Sequence, residues 1–258
     1  MTSRLRTENL KLGYGKTTVL EGLSLDFPDG KITAIVGPNA CGKSTLLRCL
    51  ARLIKPMAGQ ATLDGTPVHK QNTKTVAKAV ALLPQSAAAP QGMRVVDLVA
   101  RGRTPHQTPL QQWSAKDADV VRDALAKVGL ADEAERDLED LSGGQRQRAW
   151  IAMVLAQETD ILLLDEPTTF LDLRYQIETL KLVRQLQLDR NLTVVMVLHD
   201  INLAARFADH IVALRDKGVV VQGTPSEVVT EGNIQAVYDM PATVIDQPGG
   251  TAPHVIPH

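Results

Sequence analysis

Nine consecutive residues, Gly37-Pro38-Asn39-Ala40-Cys41-Gly42-Lys43-Ser44-Thr45, match the spacing G-x-x-x-x-G-K-[ST] of a loop that cradles phosphate. Glycines let successive backbone N–H groups turn inward onto phosphate oxygens. Lys43 offers a cation for the β- and γ-phosphates, and the Ser44 hydroxyl offers an oxygen ligand for Mg²⁺. A Gly-rich surface turn could carry the same letters, so the flanks decide. An apolar run over residues 32–36 precedes the loop and a periodic segment starts at Leu46. That is the strand–loop–helix order a nucleotide-binding loop needs.

Two further stretches could do chemistry. Ile161-Leu-Leu-Leu-Asp165-Glu166 is an apolar strand ending in two carboxylates. Placed beside the phosphate loop, Asp165 would hold Mg²⁺ and Glu166 would polarise an attacking water as general base; two solvated acids at a strand end are the bland alternative. Leu141-Ser142-Gly143-Gly144-Gln145 opens a helix, with Ser142 and Gln145 spaced as a capping box. Its exposed N–H groups would also suit a second anion. Both readings can hold together. His199, at the end of another buried run and followed by Asp200, is a candidate ligand or a core histidine. His69, His106, His210, His254 and His258 have no such context.

The elements that position these residues alternate between β and α. Leu23, Leu25 and Phe27 alternate with polar residues, as in a half-buried antiparallel strand. Leu46, Leu47, Leu50, Leu53 and Ile54 mark one face of the helix behind the loop, with Pro56 closing it. A strand ending at Asp64-Gly65 rejoins the N-terminal sheet, and residues 80–83 form a strand stopped by Pro84. From Ser86 to about Ala156 strand signals vanish, which predicts a mainly helical insertion containing a Ser114–Asp117 capping box and a stop at Gly129. Parallel-sheet texture returns at residues 161–164 and 193–198, bridged by a helix marked by Leu173, Ile177, Leu180, Val183 and Leu186. Residues 211–214 and 219–221 suggest a hairpin, and the chain from Gly223 reads as a surface wrap. The whole is an α/β doubly wound sheet without internal repeats.

Composition excludes several classes. In 258 residues, 44% hydrophobic content and a net charge of −1 indicate a globular chain with no basic surface announcing nucleic acid. No apolar run is long enough to span a bilayer, and the start lacks a secretory h-region. Membrane association would come through a partner. Two cysteines, Cys41 and Cys49, lack metal or redox spacing and suit a reducing cytosol.

Taken in order, the phosphate loop, Gln85, the Leu141–Gln145 signature, Asp165-Glu166, Asp172 and His199 resemble the nucleotide-binding subunit of an ATP-binding-cassette (ABC) transporter over essentially the whole chain. The resemblance implies a P-loop NTPase with a RecA-like, mainly parallel sheet core, an N-terminal antiparallel β subdomain and a helical insertion. The divisions fall at about 1–85, 86–156, 157–222 and 223–258. It implies an ATPase with ATP and Mg²⁺ as cofactors. Gly37, Asn39, Ala40, Cys41, Gly42, Lys43, Ser44 and Thr45 would bind phosphate, and Tyr14 would stack on adenine or merely pack its turn. Gln85 would reach Mg²⁺ and the attacking water, and His199 would hold the γ-phosphate. Ser142, Gly144 and Gln145 would meet the ATP held by a second copy, with Asp172 at the seam. The implied partners are that second copy, transmembrane permease subunits and, indirectly, a siderophore-binding protein. The implied place is the cytoplasmic face of the membrane.

Residues 101–107, Gln112-Trp113-Ser114, 145–157, 165–172, 197–204 and 249–257 narrow the resemblance to ferric-siderophore importer ATPases of the enterobactin and hydroxamate kind. Cobalamin and haem importer ATPases are close relatives. Ala40 stands where a glycine is commoner. Residues 95–103 are either a contact for the membrane subunit or a solvated helix end. A soluble ABC ATPase of DNA repair or translation would carry coiled-coil insertions or paired cassettes, which this chain lacks.

Overall fold

The computed structural model describes residues 3–85, 89–108, 112–246 and 252–258. Met1, the opening of the helical insertion at Ser86, and Gly249 to Thr251 of the tail motif lie outside the described residues.

The first layer is an antiparallel sheet. Strands β1 (Leu5–Tyr14) and β2 (Thr17–Phe27) pair with each other, and β1 also pairs with β4 (Ala58–Leu63), which carries the short β5 (Thr66–Pro67). Leu23, Leu25 and Phe27 are all buried, as their alternation predicts.

The second layer is six-stranded. It is built from β3 (Ile32–Val36), β6 (Val80–Leu83), β7 (Ile161–Asp165), β8 (Thr193–Val197), β9 (His210–Arg215) and β10 (Gly218–Gly223) in the order β10-β9-β3-β8-β7-β6. All pairings are parallel except the closing β9–β10 hairpin. Every residue of β3, β7 and β8 is buried. The period of two divides them cleanly. Ile32, Ala34, Val36, Leu162, Leu164, Val194 and Met196 enter one hydrophobic core, while Ile35, Ile161, Leu163, Val195 and Val197 enter the other. Apolar side chains on both faces make these strands central, because each face must be covered by another layer.

Helix α1 (Lys43–Leu50) and the antiparallel sheet cover one face. The other is covered by α3 (Val95–Ala100), α4 (Ala115–Lys127), α5 (Gly143–Ala156), α6 (Leu173–Arg190) and α7 (Ile201–Phe207). The short α2 (Thr73–Ala79) was not signalled by periodicity, since Val76 is its one buried residue. Between residues 89 and 156 the described residues are mainly helical, apart from isolated bridges such as that between Arg94 and Asp137, and include the Ser114–Asp117 capping box with both reciprocal bonds present.

Three expectations need correction. Helix α1 ends at Leu50, not beyond Ile54. Arg52 takes a left-handed φ of 66°, Leu53 N–H and Ile54 N–H both bond back to Arg48 O, and Leu53 is 68% exposed. Leu173, counted on the buried face of α6, is exposed, whereas Leu180, Val183 and Leu186 are buried. The segment after Gly223 is more than a wrap. It forms α8 (Pro225–Val228), α9 (Glu231–Tyr238) and the hairpin β11 (Ala242–Asp246) with β12 (Pro253–Pro257), and buries Val228, Val229, Ile234, Val237 and Val255 in the main core.

Candidate active site

Four parallel strands deliver the candidate residues at their carboxyl ends, where open α/β sheets bind ligands. Strand β3 runs into the loop at Gly37, β6 into Pro84-Gln85, β7 into Asp165-Glu166 and β8 into Leu198-His199. Tyr14 arrives separately, at the end of β1. A cleft of about 550 Å³ joins them, lined by Tyr14, Val19, Asn39, Ala40, Gly42, Lys43, Ser44, Thr45, Gln85, Glu166, Thr169 and His199.

The loop is held by close packing. Gly37 has φ 140°, and a Cβ there would stand 2.1 Å from the Leu214 carbonyl oxygen, so only glycine fits. Ala40 takes φ 61°, which costs an L-residue about 1 kcal/mol. Its methyl group lies in the cleft wall, and the position is one where glycine would relax the backbone. The Lys43 ammonium donates to Gly37 O at 2.9 Å and Pro38 O at 2.7 Å, which fixes it over the loop. Tyr14 is half exposed, with its hydroxyl 3.4 Å from Thr45 Oγ1. Its ring therefore borders the loop instead of being consumed by core packing.

Ser44 Oγ donates to Asp165 Oδ1 at 2.7 Å. Burial raises the Asp165 carboxyl above its ordinary range, opposed by the Ser44 bond. A hydroxyl and a buried carboxylate side by side are an all-oxygen donor set of the kind a small hard cation takes. Among the described residues no cluster of three or more His, Cys, Asp or Glu side chains could cage a metal. Two protein oxygens fit a cation that keeps waters and phosphate oxygens as its other ligands.

Glu166 is the most constrained side chain of the site. It is 9% exposed and its backbone sits at φ 54°. Gln85 Nε2 donates to Oε2 at 2.5 Å, Thr169 Oγ1 donates to the same oxygen at 3.0 Å, and His199 Nε2 lies 2.7 Å from Oε1. Thr169 is a site residue that motif reading passed over. Its hydroxyl falls three residues after Glu166 in the turn that the Glu166 backbone begins, a spacing that could have flagged it.

The signature residues lie outside this cleft. Ser142 caps α5, accepting from Gln145 N–H, while Gln145 Oε1 accepts from Ser142 N–H in return. Gln145 Nε2 also reaches Glu133. Gly144 is packed under the Tyr175 ring, where a Cβ would approach to 2.6 Å. Asp172 caps α6 by accepting from Tyr175 N–H at 3.0 Å. Ser142, Gly144, Gln145 and Asp172 thus do not line the cleft, and Gly144 packing under Tyr175 joins the signature to the first turn of α6. In the 95–103 stretch, Val95, Leu98, Val99 and Arg103 are buried; Arg103 bonds Asp117, Ala156 O and Glu158. Much of that stretch is therefore internal structure.

The ABC transporter family model matches residues 20–169. The chain is 51% identical to the petrobactin import ATP-binding protein FpuD of Bacillus anthracis over 258 residues, covering 100% of this chain and 94% of that one. It is 49% identical to the ferric enterobactin transport ATP-binding protein FepC of Escherichia coli, covering 99% and 94%. A solved structure of a metal-chelate type ABC transporter in an inward-facing conformation superposes with a TM-score of 0.87 at 30% identity, covering 100% of this chain and 98% of that one. The chain belongs to the ABC transporter family. It is an ATPase of that family.

The two thiols give a test of the loop. Cys49 is fully buried and pushed up to about 12, while Cys41 is partly exposed and raised by burial, with Lys43 Nζ 3.9 Å away drawing it back. A maleimide near neutral pH is expected to label Cys41 alone, slowly because little thiolate is present, and Mg-ATP is expected to slow it further. Equal rates with and without nucleotide would contradict the loop assignment, and labelling of native Cys49 would contradict its burial.

Proposed function

We propose that this chain energises import of iron(III)–siderophore complexes across the cytoplasmic membrane, hydrolysing ATP at a site completed by a second copy of itself. The observation that carries the hydrolytic part is the Glu166 carboxylate, held at the end of a buried strand by Gln85, Thr169 and His199.

The chain's groups divide the work. The amides of residues 39–45 and Lys43 bind the β- and γ-phosphates, and Tyr14 bounds the adenine end of the cleft. Ser44 and Asp165, with Gln85 nearby, would hold Mg²⁺, which would supply positive charge against the phosphates. Glu166 orients a water and accepts its proton, a role suited to a carboxylate whose oxygens are fixed before the reaction. His199, in contact with Glu166, is placed to hold the γ-phosphate on the far side. Catalysis here is positioning and electrostatics, because phosphoryl transfer leaves little covalent work to a protein.

Ser142 and Gly144 lie on a surface apart from this cleft, which supports a head-to-tail arrangement of two copies. Each signature then faces the partner's γ-phosphate, and each helix start adds N–H groups to it. Closure on ATP and opening after hydrolysis would move the attached permease subunits. No helix among the described residues is long and apolar enough to cross a membrane, which fits a peripheral subunit on the cytoplasmic face. The cargo reading is supported by the relatives named for petrobactin import and ferric enterobactin transport.

Glu166→Gln is expected to keep ATP binding and lose roughly 10²–10⁴ of the hydrolysis rate, the worth of a general base. Hydrolysis within twofold of wild type would remove Glu166 from that role. In a deletion strain, uptake of labelled ferric siderophores is expected to fall and to return with the wild-type chain. Unchanged uptake of every ferric siderophore tried would overturn the cargo reading and leave the ATPase reading standing.

A further inference from the structure

His199 emerges between β8 and α7, and its ring's polar contact is with Glu166. The ring is 45% exposed, so side-chain packing alone does not fix it. Its place depends on where its backbone is held: on one side by buried Leu198, whose N–H bonds Ile35 O at 3.2 Å, and on the other by the start of α7.

Two sets of bonds anchor it. Asp200 Oδ1 accepts from Asn202 N–H at 2.7 Å and Leu203 N–H at 3.1 Å, closing the helix start. The Asn202 side chain reaches out of the helix to the C-terminal hairpin. Its Nδ2 donates to Val255 O at 3.0 Å, and its Oδ1 accepts from Val255 N–H at 2.7 Å. Val255 stands opposite Val244, and its own N–H and C=O point away from β11 toward α7. The amide thus acts as one residue of an added strand, satisfying both backbone groups of a residue that is 3% exposed.

Later in α7, Leu203, Ala204, Ala205 and Phe207 pack into the main core, so the Asn202 tie acts on the helix's first turn. A cleft of about 270 Å³ runs between the start of α7, α9 and β12, bordered by His199, Asp200, Ile201, Ile234, Met240 and Pro257. Val255 in turn is rooted in the main core. Asn202 thus joins β12 to the first turn of α7, three residues from His199.

We propose that Asn202 is a positioning residue for ATP hydrolysis, acting through His199, with β12 as its anchor. The proposal rests on the reading of His199 as a group that holds the γ-phosphate. Only an amide serves fully, since an ionised carboxylate would accept from Val255 N–H but repel Val255 O.

The test is a double-mutant cycle on the full-length protein, with steady-state ATPase kinetics, ATP affinity and thermal melting measured for each variant. Asn202→Ala is expected to lower kcat about tenfold with KM and ATP affinity within twofold, and to have no further effect in a His199→Ala background. The isosteric Asn202→Asp, which keeps one of the two bonds, is expected to fall between wild type and Asn202→Ala, and it supplies the comparison with His199→Ala if the alanine variant does not fold. A kcat within twofold of wild type for both Asn202 variants would overturn the proposal. So would an equal loss with and without His199, which would mark a general structural role. If His199→Ala itself hydrolysed ATP normally, the reading of His199 would fail first, and the proposal with it.

Discussion

The structure depends on keeping a carboxylate ready at the end of a dry strand. Glu166 follows five wholly buried residues of β7, and its left-handed backbone turns the chain so that the carboxylate returns to the cleft. Such a backbone costs about 1–3 kcal/mol and persists only where its surroundings impose it. Here they do. Gln85 comes from the end of β6, Thr169 from the turn after β7 and His199 from the end of β8. The parallel order of the sheet is what lets three strand ends meet one side chain. The apolar residues on both faces of those strands hold that order.

The same sheet explains why the signature stands apart from the cleft. The signature sits at the start of α5, which packs over one face of the sheet, and its capping residues do not line the cleft at the strand ends. Gly144 beneath Tyr175 ties that surface to the first turn of α6, which Asp172 caps. The C-terminal hairpin lies near His199, where Asn202 joins the first turn of α7 to β12. The cleft and its surroundings thus draw on elements from both ends of the chain.

Much of this was legible beforehand, for physical reasons. Runs such as Ile32–Val36 and Thr193–Val197 are apolar on both faces, and only a central strand needs that. The phosphate loop, the capping boxes at Ser114 and Ser142 and the acids after β7 are local patterns, readable within a few residues. The misses were also local or else purely tertiary. Thr224 and Glu227 with Pro225 between them spell a capped helix start, and the weak patterning around them hid it. Asn72 capped a helix that buries too little to show a face. Leu53 kept the periodicity of α1 after Arg52 had already ended the helix. The Asn202 tie to Val255 spans 53 positions, and no window of sequence displays it.

The central claim is that each ATP is held between the loop of one copy and the signature of another. Light scattering of the Glu166→Gln protein, resolved by size exclusion, tests it most directly. The account predicts a monomer without nucleotide, a dimer with ATP, and loss of that dimer when Ser142 is also replaced by a bulky residue. A strictly monomeric protein at saturating ATP would contradict it.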